Sequence, residues 1–497
     1  MRIVFIAAEC EPLAKTGGLA DVVDALARAV GRVPAAEIAS PVDVFLPRYR
    51  GLPSAGDATV VRVPDPLAVS GASDVRIVDI DADGYRLRLV DHPPAFDRAH
   101  LYGDPAVGDY YDNPWRFGLF GRSVLETLRR DGRPVDVLHA HDWHGCPAIV
   151  ARDRWYPADP IVGRAATLLT VHNLAYHGWV PADSLWQLGI APGDDILDAD
   201  AAGIDLLWTG IARADLVNTV SPGFAEEARI PGRGFGLDGP LRAKGDRFLG
   251  ILNGLDTRVW DPSTDEALAA TYSRANRTAK IACRADLLAR VGFDAGDPAP
   301  VLGMVGRLDP QKGFDILADA TPALLRLGAR LVILGSGDPS LATGLRALAA
   351  ARPDRIAMVE SFDRALARRI YAGCDLFLMP SRYEPCGQAQ MIALRYGTPP
   401  VVHATGGLRD TVVDEYDQPG RGTGWAFRHP TSDGLAWACG QAIDAYRAGG
   451  ERWEGVIDRA MAADFDWLTG AAPRYVDAYC RAVTGGRSLG PTSRPAP

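Results

Sequence analysis

The feature that most constrains the fold of this chain is an alternation of short apolar runs with longer helical patterns, which occurs twice. One series of runs lies within residues 2–253 and a second lies within residues 301–403. Most runs are rich in Val, Leu and Ile without strict polar alternation, as is typical of strands that are covered on both faces. The pattern therefore predicts an α/β protein with two parallel sheets, each with helices on both faces.

The predicted elements can be placed by residue number. Strands are expected at 2–8, 43–46, 75–80, 87–91, 135–140, 166–171, 216–220 and 248–253, and then at 301–305, 330–334, 356–360, 376–379 and 400–403. Helices are expected at 19–30, 314–327, 341–351, 365–373 and 388–396. Residues 53–73 are rich in Ala, Gly and Pro and predict a turn-rich insertion, and the apolar-poor tail 485–497 predicts disorder.

Length and composition favour an ordinary globular enzyme with more than one domain. The chain has 497 residues, which exceeds the size at which a single core stops growing. Its formal net charge of −9 disfavours a nucleic-acid partner. Seven cysteines without a Cys-x-x-Cys pair favour free thiols in a reducing compartment. The short apolar N-terminus does not fit a signal peptide, and no apolar run is long enough for a membrane span, so we expect a cytoplasmic protein without a membrane partner.

In doubly wound sheets, ligands bind beyond the carboxyl ends of the strands, so polar residues that follow predicted strands are the candidates for a site. The first group follows the first strand, where Lys15, Gly17 and Gly18 precede a helix. Backbone N–H groups in such a loop can face an anion, and the lysine adds positive charge. A tight turn with a solvated lysine explains the same residues equally well.

Two further groups follow the strands at 135–140 and 166–171. We expect His139 and His141 to point to opposite faces, and no further ligand set lies nearby, so polar contacts with substrate are favoured over a metal for these histidines and Asp142. His172 and Asn173 can hydrogen-bond the hydroxyl groups of a sugar, or they can shape their loop.

The second series of strands is followed by cations and a carboxylate. Arg307 and Lys312 lie in one short loop, and this pair suits a diphosphate, although surface ion pairs would account for it as well. Glu384 stands just before a helix, where it could hold sugar hydroxyls, offset positive charge at an anomeric carbon, or cap the helix. Gly406 and Gly407 form a second junction of strand, glycines and helix.

No P-loop and no Gly-x-Ser-x-Gly motif is present, which argues against a P-loop NTPase and an α/β-hydrolase.

Taken in order, these segments resemble bacterial glycogen synthases and plant starch synthases, which extend α-1,4-glucan from ADP-glucose with retention of configuration. The similarity runs from Lys15 to Trp467 and includes Ser221-Pro222, Asn253-Gly254, residues 109–113 and residues 116–117. It implies a GT-B fold, in which two Rossmann-like domains face a cleft and the last helix crosses back to the N-terminal domain. The implied divisions are an acceptor and catalytic domain at 1–247, a sugar-nucleotide domain at 248–466, the crossover helix at 467–484 and the tail at 485–497.

The resemblance also implies roles for individual residues, with ADP-glucose and α-1,4-glucan as partners and neither a cofactor nor a metal. The catalytic group it implies is Glu384, His172, Arg307 and Lys312. Contacts with the donor are implied for Lys15, Gly17, Gly18, Asp142, Asn173, Asn253, Phe362, Cys386, Gly387, Thr405, Gly406 and Gly407, with Phe362 stacking on the nucleobase. Weaker candidates for acceptor contacts are Tyr102 and Asp21.

One departure from the family pattern leaves the substrates open. Gln388-Ala389 stands where the family commonly has Leu-Thr, so a hydroxyl is missing near the nucleotide end of the expected site. The departure puts in doubt how the donor is oriented and which base is preferred. The alternatives to the glycogen synthase interpretation are the same fold with UDP-glucose or with a small sugar-phosphate acceptor, and a non-catalytic glucan-binding protein.

Overall fold

The computed structural model describes residues 1–34, 36–54, 58–104, 107–190 and 202–485. The chain forms two compact units. The first comprises residues 1–220, 225–254 and the chain from 467 onward, and the second comprises residues 221–224 and 255–466. The predicted tail lies outside the described residues from position 486. No helix in the described part of the chain is long and apolar enough to cross a membrane.

The first unit is built on a nine-stranded sheet with the order β13-β12-β9-β8-β1-β2-β5-β4-β3. Its strands are β1 (Ile3–Ile6), β2 (Val42–Pro47), β3 (Ala58–Pro64), β4 (Ala72–Asp81), β5 (Tyr85–Asp91), β8 (Val137–His141), β9 (Ala166–Val171), β12 (Leu216–Thr219) and β13 (Phe248–Gly250). Two small ribbons pair β6 (Gly103–Asp104) with β7 (Gly108–Asp109) and β10 (Trp179–Pro181) with β11 (Gly203–Asp205). The helices are α1 (Gly18–Gly31), α2 (Pro93–Phe96), α3 (Asn113–Asp131), α4 (Asp142–Trp155), α5 (Leu206–Arg213), α6 (Pro222–Ala228) and α7 (Asp238–Ala243).

One edge of this sheet differs from the sequence expectation. The strands from β13 to β5 run parallel, but β4 is antiparallel to both β5 and β3. Strand β3 lies inside the stretch 53–73 that was predicted to be a turn-rich insertion, so that prediction is wrong for its centre. Along β3 only alternate residues such as Val61 and Val63 are buried, because the strand is covered on one face. It therefore lacks the continuous apolar run of a central strand.

The second unit contains an all-parallel, six-stranded sheet with the order β16-β15-β14-β17-β18-β19. Its strands are β14 (Val301–Val305), β15 (Arg330–Leu334), β16 (Ile356–Val359), β17 (Leu376–Met379), β18 (Pro400–His403) and β19 (Trp425–Phe427). The helices are α8 (Lys280–Val291), α9 (Phe314–Arg326), α10 (Pro339–Ala351), α11 (Arg364–Gly373), α12 (Ala389–Arg395), α13 (Gly406–Thr411), α14 (Ser432–Ala448) and α15 (Gly450–Ala462). Strand β19 was not predicted, because a strand of three residues is too short to show a recognisable hydrophobic pattern.

The end of the chain belongs to the first unit. A π-helical turn (Trp467–Ala471) leads into α16 (Ala472–Thr484), which packs on α1, β8, β9 and β12. Tyr475 and Tyr479 of α16 are fully buried, and their hydroxyl groups lie 3.2 Å from Asn218 Nδ2 and 3.0 Å from His139 Nδ1. Strand β13 also belongs to the first unit, since it pairs with β12, whereas the expected second domain began at residue 248.

Candidate functional site

In the first unit, a buried carboxylate organises the loop between β1 and α1. Glu9 accepts hydrogen bonds from the backbone N–H of Thr16 at 2.6 Å, the Thr16 hydroxyl at 2.6 Å and the backbone N–H of Gly17 at 3.2 Å. The Tyr102 hydroxyl donates to the same carboxylate at 2.6 Å. The N–H groups of Thr16 and Gly17 therefore already face an anion that belongs to the protein. Glu9 was not among the predicted site residues, although its place directly after a strand was the available signal.

The lysine of this loop is held by acidic neighbours. Lys15 Nζ lies 2.5 Å from Asp21 Oδ1 and 3.4 Å from Glu11 Oε2. Beside Gly17 and Gly18 there is open space, since a Cβ built on either glycine would meet no atom within 4 Å. Among the described residues, no close contact requires glycine at these two positions. The loop offers a cation beside an open surface, and Asp21, a candidate acceptor residue, contacts that cation.

A group of histidines stands at the carboxyl ends of β8 and β9. His139 and His141 lie on the same face of β8, with ring centroids 4.2 Å apart, so the expectation of opposite faces is wrong. Residues two apart along a strand share a face. His139 contacts Thr170 Oγ1 at 2.7 Å, and His141 Nδ1 lies 3.0 Å from His172 Nε2. Burial lowers the pKa of His172 to about 3 and places the pKa of His139 and His141 well below the usual value. These rings are therefore neutral hydrogen-bonding groups.

Asp142 fixes the loop that carries His172. Its carboxylate accepts the backbone N–H of His172 at 2.7 Å, and its own backbone has a φ of 51°. Non-glycine residues rarely adopt this left-handed conformation, which concentrates at functional sites. Burial raises the pKa of Asp142 to about 7, while the hydrogen bond from His172 works in the opposite direction. Asn173 accepts the backbone N–H of Ala175 at 3.0 Å and so shapes the same loop.

Asn253, a predicted donor contact, lies in the first unit after β13 and is almost fully buried. Its backbone N–H donates to the carbonyl of Val220 at 3.3 Å, and its side-chain Oδ1 has no hydrogen-bond partner among the described residues. A buried amide oxygen without a partner is costly, and it is the kind of atom that a ligand hydroxyl would satisfy.

In the second unit, the loop after β14 turns sharply before α9. Asp309 accepts the backbone N–H of Gln311 at 2.8 Å, and Gly313 ends the turn with a φ of 74°. A Cβ at Gly313 would lie 2.1 Å from the carbonyl oxygen of Pro380, so only glycine fits against the neighbouring loop. Arg307, which is exposed, lies 3.3 Å from Asp309 Oδ2.

Lys312 and Glu384 meet where this loop approaches the loop after β17. Lys312 Nζ lies 2.7 Å from Glu384 Oε2, and the Ser381 hydroxyl donates to the same oxygen at 3.1 Å. Ser381 is buried, and its carbonyl lies 2.7 Å from His403 Nδ1 at the end of β18. Lys312 and Glu384 are thus in contact. Ser381 contacts Glu384, and His403 contacts Ser381. The last two residues were not predicted, and their places beside the strand ends were the only signal.

The glycine pair at the start of α13 is required by a close approach of backbone. A Cβ on Gly406 would lie 2.1 Å from the carbonyl oxygen of Glu384, and one on Gly407 would lie 2.2 Å from that of Cys386. The N–H of Gly407 donates to the Glu384 carbonyl at 3.0 Å. Thr405 precedes these glycines as the N-cap residue of α13. The junction therefore holds the Glu384 loop in place.

The remaining predicted donor residues differ in their surroundings. Gly387 has a φ of 74°. Buried Gln390 donates to the carbonyls of Cys386 at 3.0 Å and Gly387 at 3.1 Å, a role that sequence reasoning missed. Phe362 is 81% exposed, and the guanidinium carbon of Arg364 lies 5.7 Å from its ring centroid. The structure brings Arg307, Lys312, Glu384, Cys386, Gly387, Thr405, Gly406 and Gly407 to the strand ends of the second sheet or to loops that contact them.

No cluster of three or more His, Cys, Asp and Glu side chains suited to a metal ion occurs among the residues that the structure describes. Two successive doubly wound units, each with polar side chains gathered at the carboxyl ends of parallel strands, have the architecture of a GT-B glycosyltransferase.

Comparison with known proteins gives the family. Residues 2–243 match the family model for the starch synthase catalytic domain, and residues 299–445 match that for glycosyl transferases group 1. A glycogen synthase from Syntrophotalea carbinolica is 38% identical over 502 residues, which cover 97% of this chain and 99% of the relative. Glycogen synthase 2 from Geobacter metallireducens is 41% identical over 487 residues, which cover 96% and 98%. The chain belongs to the glycogen synthase family and is a glucosyltransferase, which confirms the predicted resemblance.

Solved structures agree with this assignment. The catalytic domain of starch synthase IV from Arabidopsis thaliana, bound to ADP and acarbose, is 30% identical with a TM-score of 0.86, covering 97% of this chain and 99% of that chain. Sucrose-phosphate synthase from Thermosynechococcus elongatus is 19% identical with a TM-score of 0.60, covering 98% and 100%. The second likeness supports the GT-B fold alone.

Proposed function

We propose that this protein transfers glucose from ADP-glucose to the non-reducing end of an α-1,4-glucan and retains the anomeric configuration. The proposal rests on the family and on the relative that was solved with ADP and acarbose. In this proposal the second unit binds the sugar nucleotide and the first unit carries the acceptor and catalytic loops. The reaction takes place in the cytoplasm, and seven cysteines that form no disulfide suit its reducing conditions.

The contact of Lys312 with Glu384 is the observation that carries the chemical part of the proposal. Glu384 is 5% exposed and holds Lys312 Nζ at 2.7 Å, so the ammonium group is fixed rather than mobile. Arg307 is exposed in the same loop. A departing diphosphate gains negative charge in the transition state, and positioned cations lower the barrier for that departure. We therefore assign Lys312 and Arg307 to binding the phosphates. Glu384 is assigned to holding the Lys312 ammonium group in place.

The first unit would supply neutral hydrogen-bonding groups for the transferred sugar. His172 is uncharged because burial lowers its pKa to about 3, so it serves as a polar contact and adds no charge beside a developing positive centre. The unpartnered Oδ1 of Asn253 suits a hydroxyl donor. Asp142 sets the position of His172 and Asn173 through the loop backbone. Lys15 and the open surface beside Gly17 and Gly18 are assigned to the donor.

A donor screen tests this function directly. The chain is incubated with glycogen and either ADP-glucose or UDP-glucose, and with ADP-glucose and glucose 1-phosphate in place of glycogen. We expect label in glycogen from ADP-glucose, with product linkages that an α-1,4-specific amylase cleaves. Transfer only from UDP-glucose, or only to the sugar phosphate, would replace the proposal by the corresponding alternative. If glucose is transferred in none of these incubations, the alternative of a non-catalytic glucan-binding protein is favoured.

Gln388 and Ala389 allow a sharper test of donor choice. The two residues lie at the start of α12, beside the Glu384 loop. Restoring the common pair with Gln388→Leu and Ala389→Thr adds a hydroxyl near the expected nucleotide end. If this position governs the donor, the ratio of kcat/KM for ADP-glucose to that for UDP-glucose will change while KM for glycogen stays constant. An unchanged ratio would remove these residues from donor selection.

A further inference from the structure

Tyr416 and Trp437 form an exposed aromatic pair on the second unit, and neither is among the residues assigned above. Tyr416 lies in the loop after α13 and Trp437 lies on α14. Their ring centroids are 4.9 Å apart, and their planes meet at 79°. Tyr416 is 51% exposed and Trp437 is 45% exposed. Two large rings in contact with each other therefore present a bent apolar surface to solvent.

The loop that carries Tyr416 is firmly held. Its neighbour Glu415 is buried and accepts the backbone N–H groups of Gly420 at 3.1 Å and Gly422 at 3.0 Å. Arg459 of α15 donates to the same carboxylate at 2.9 Å. The tyrosine ring is thus presented by a fixed loop, so a ligand would bind it without first ordering the chain.

Polar side chains flank the pair. Asp433 and Gln441 stand four residues before and after Trp437 on α14, so all three share one helix face. Asp417, next to Tyr416, pairs with Arg428 at 2.9 Å. Carboxylate and amide oxygens beside aromatic rings suit a neutral ligand with many hydroxyl groups.

We propose that the Tyr416–Trp437 pair binds a stretch of α-1,4-glucan outside the active site, an inference that rests on the proposed function. Sugar rings present C–H groups that pack on aromatic faces, while their hydroxyl groups reach neighbouring acceptors. Successive units of an α-1,4-glucan are tilted relative to each other, so the chain curves. Two rings inclined at 79° match a curved chain better than a flat one, which would need coplanar rings.

The consequence is a preference for large acceptors. A branched glucan held at this pair keeps its other chain ends at high local concentration, which lowers the apparent KM without a new contact at the reacting atoms. We expect a short acceptor such as maltotriose to bind at the reaction centre without reaching this pair. The pair should therefore affect glycogen and leave maltotriose unaffected.

The test uses the full chain with Tyr416→Ala and Trp437→Ala together, and Tyr416→Phe with Trp437→Phe as the matched control that keeps an aromatic ring at each position. We expect the alanine pair to raise KM for glycogen about three- to tenfold, with kcat and the KM values for maltotriose and ADP-glucose unchanged. Retardation by glycogen in a native gel, measured without donor, should fall in the alanine pair and persist in the phenylalanine pair.

Four results would overturn the proposal. Unchanged retardation and unchanged KM for glycogen would show that the rings do not bind glucan. An equal rise of KM for glycogen and maltotriose, or a lowered melting temperature, would show a structural role in holding the loop to α14. A wild-type dimer that the alanine pair converts to monomer in sedimentation would assign the rings to a second copy of the chain. Because retardation needs no turnover, it remains informative if ADP-glucose is not the donor.

Discussion

Glycine has two physically different roles among the residues assigned to the donor. Gly406 and Gly407 touch backbone oxygens of the Glu384 loop, whereas Gly17 and Gly18 border open space. The first pair is explained by the chain itself. At the second pair a Cβ would meet no atom of the described residues, and Gly17 is also the N-cap residue of α1, a position that glycine favours. We assign the open surface beside this pair to a ligand.

Replacing one glycine of each kind separates folding from binding. We expect Gly18→Ala to leave the melting temperature unchanged or slightly raised, because Gly18 begins α1 and alanine favours helix. Its kcat/KM for the donor should fall at least about tenfold, because the methyl group occupies the space a ligand needs. Gly406→Ala should instead lower stability by about 2 kcal/mol or more, since it places a Cβ 2.1 Å from a carbonyl oxygen. Full activity in Gly18→Ala would remove the loop from the donor site.

Glu9→Gln tests the carboxylate that organises the same loop. The amide oxygen can still accept the N–H groups of Thr16 and Gly17, but its NH2 group then faces the hydroxyls of Thr16 and Tyr102, which must accept instead of donate. The negative charge that strengthens all four hydrogen bonds is lost. We expect a loss of about 1–3 kcal/mol in the free energy of unfolding and a drop in kcat/KM. Glu37→Gln, at an exposed position, is the matched control and should change neither quantity. Equal behaviour of the two variants would mean that Glu9 does not hold the loop.

Lys312→Ala probes the cation assigned to the leaving diphosphate. We expect kcat to fall by about 10² or more, because a fixed positive charge is lost where negative charge develops. Arg326→Ala is the control, because it removes an exposed positive charge outside the assigned residues and should leave kcat unchanged. Lys280→Ala would be a poor control, because Lys280 donates to buried carbonyl groups. A rate near that of the wild type in Lys312→Ala would contradict the assignment.

At the scale of elements, the carboxyl ends of β8 and β9 concentrate uncharged histidines inside the first unit. His139, His141 and His144 are buried, and burial holds the pKa of each well below 6.5. In the unfolded chain these groups take up protons below about pH 6.5. The folded state then binds fewer protons than the unfolded state, so the stability that they contribute is present above that pH and lost as the pH falls.

The expected result is a steep loss of stability below about pH 6.5. Each such histidine adds about 1.4 kcal/mol per pH unit to the slope in that range. Replacing His139 with Gln should make the slope shallower by about that amount, whatever it does to stability at pH 8. Denaturant titrations between pH 5 and 8 measure the slope, and equal slopes in the wild type and His139→Gln would contradict the prediction.

Elements that are covered on both faces were the ones the sequence predicted well. The bounds of β9, β14, β15, β17 and β18 agree with the predicted ones, because each is a continuous apolar run. Strand β3 was missed because its burial alternates at a sheet edge. The candidate site was predicted from the loops that follow such strands, as with Lys312 and Glu384. Ser381 and Gln390 contact Glu384 and Cys386, which lie only three and four residues away, but the sequence does not show which polar side chains within one short segment will meet.

At the scale of the whole molecule, the first unit depends on both ends of the chain. Helix α16 covers β8, β9 and β12 with two fully buried tyrosines, although more than 200 residues of the second unit separate it from the rest of the first. Ending the chain after Asp466 would expose the apolar surface beneath Tyr475 and Tyr479. We expect the truncated chain to lose the cooperative unfolding of the first unit in calorimetry.

A milder variant keeps this prediction testable if the truncated chain aggregates. Tyr479→Phe keeps the ring and removes only the hydroxyl that contacts His139 at 3.0 Å. We expect it to lose about 1 kcal/mol of stability with the fold intact. Tyr479→Ala should cost about 3–5 kcal/mol because it leaves a cavity. Wild-type stability in the alanine variant would mean that α16 is not part of the core of the first unit.

The return of α16 to the first unit has a consequence for protein synthesis. The ribosome releases the chain from its N-terminus, so residues 1–254 emerge long before the helix that covers their sheet. Until residues 472–484 appear, the surface beneath Tyr475 and Tyr479 stays open to chaperones and proteases. A nascent chain that stalls in the second unit would therefore carry an incomplete first unit, and cellular quality control could recognise it by that uncovered surface.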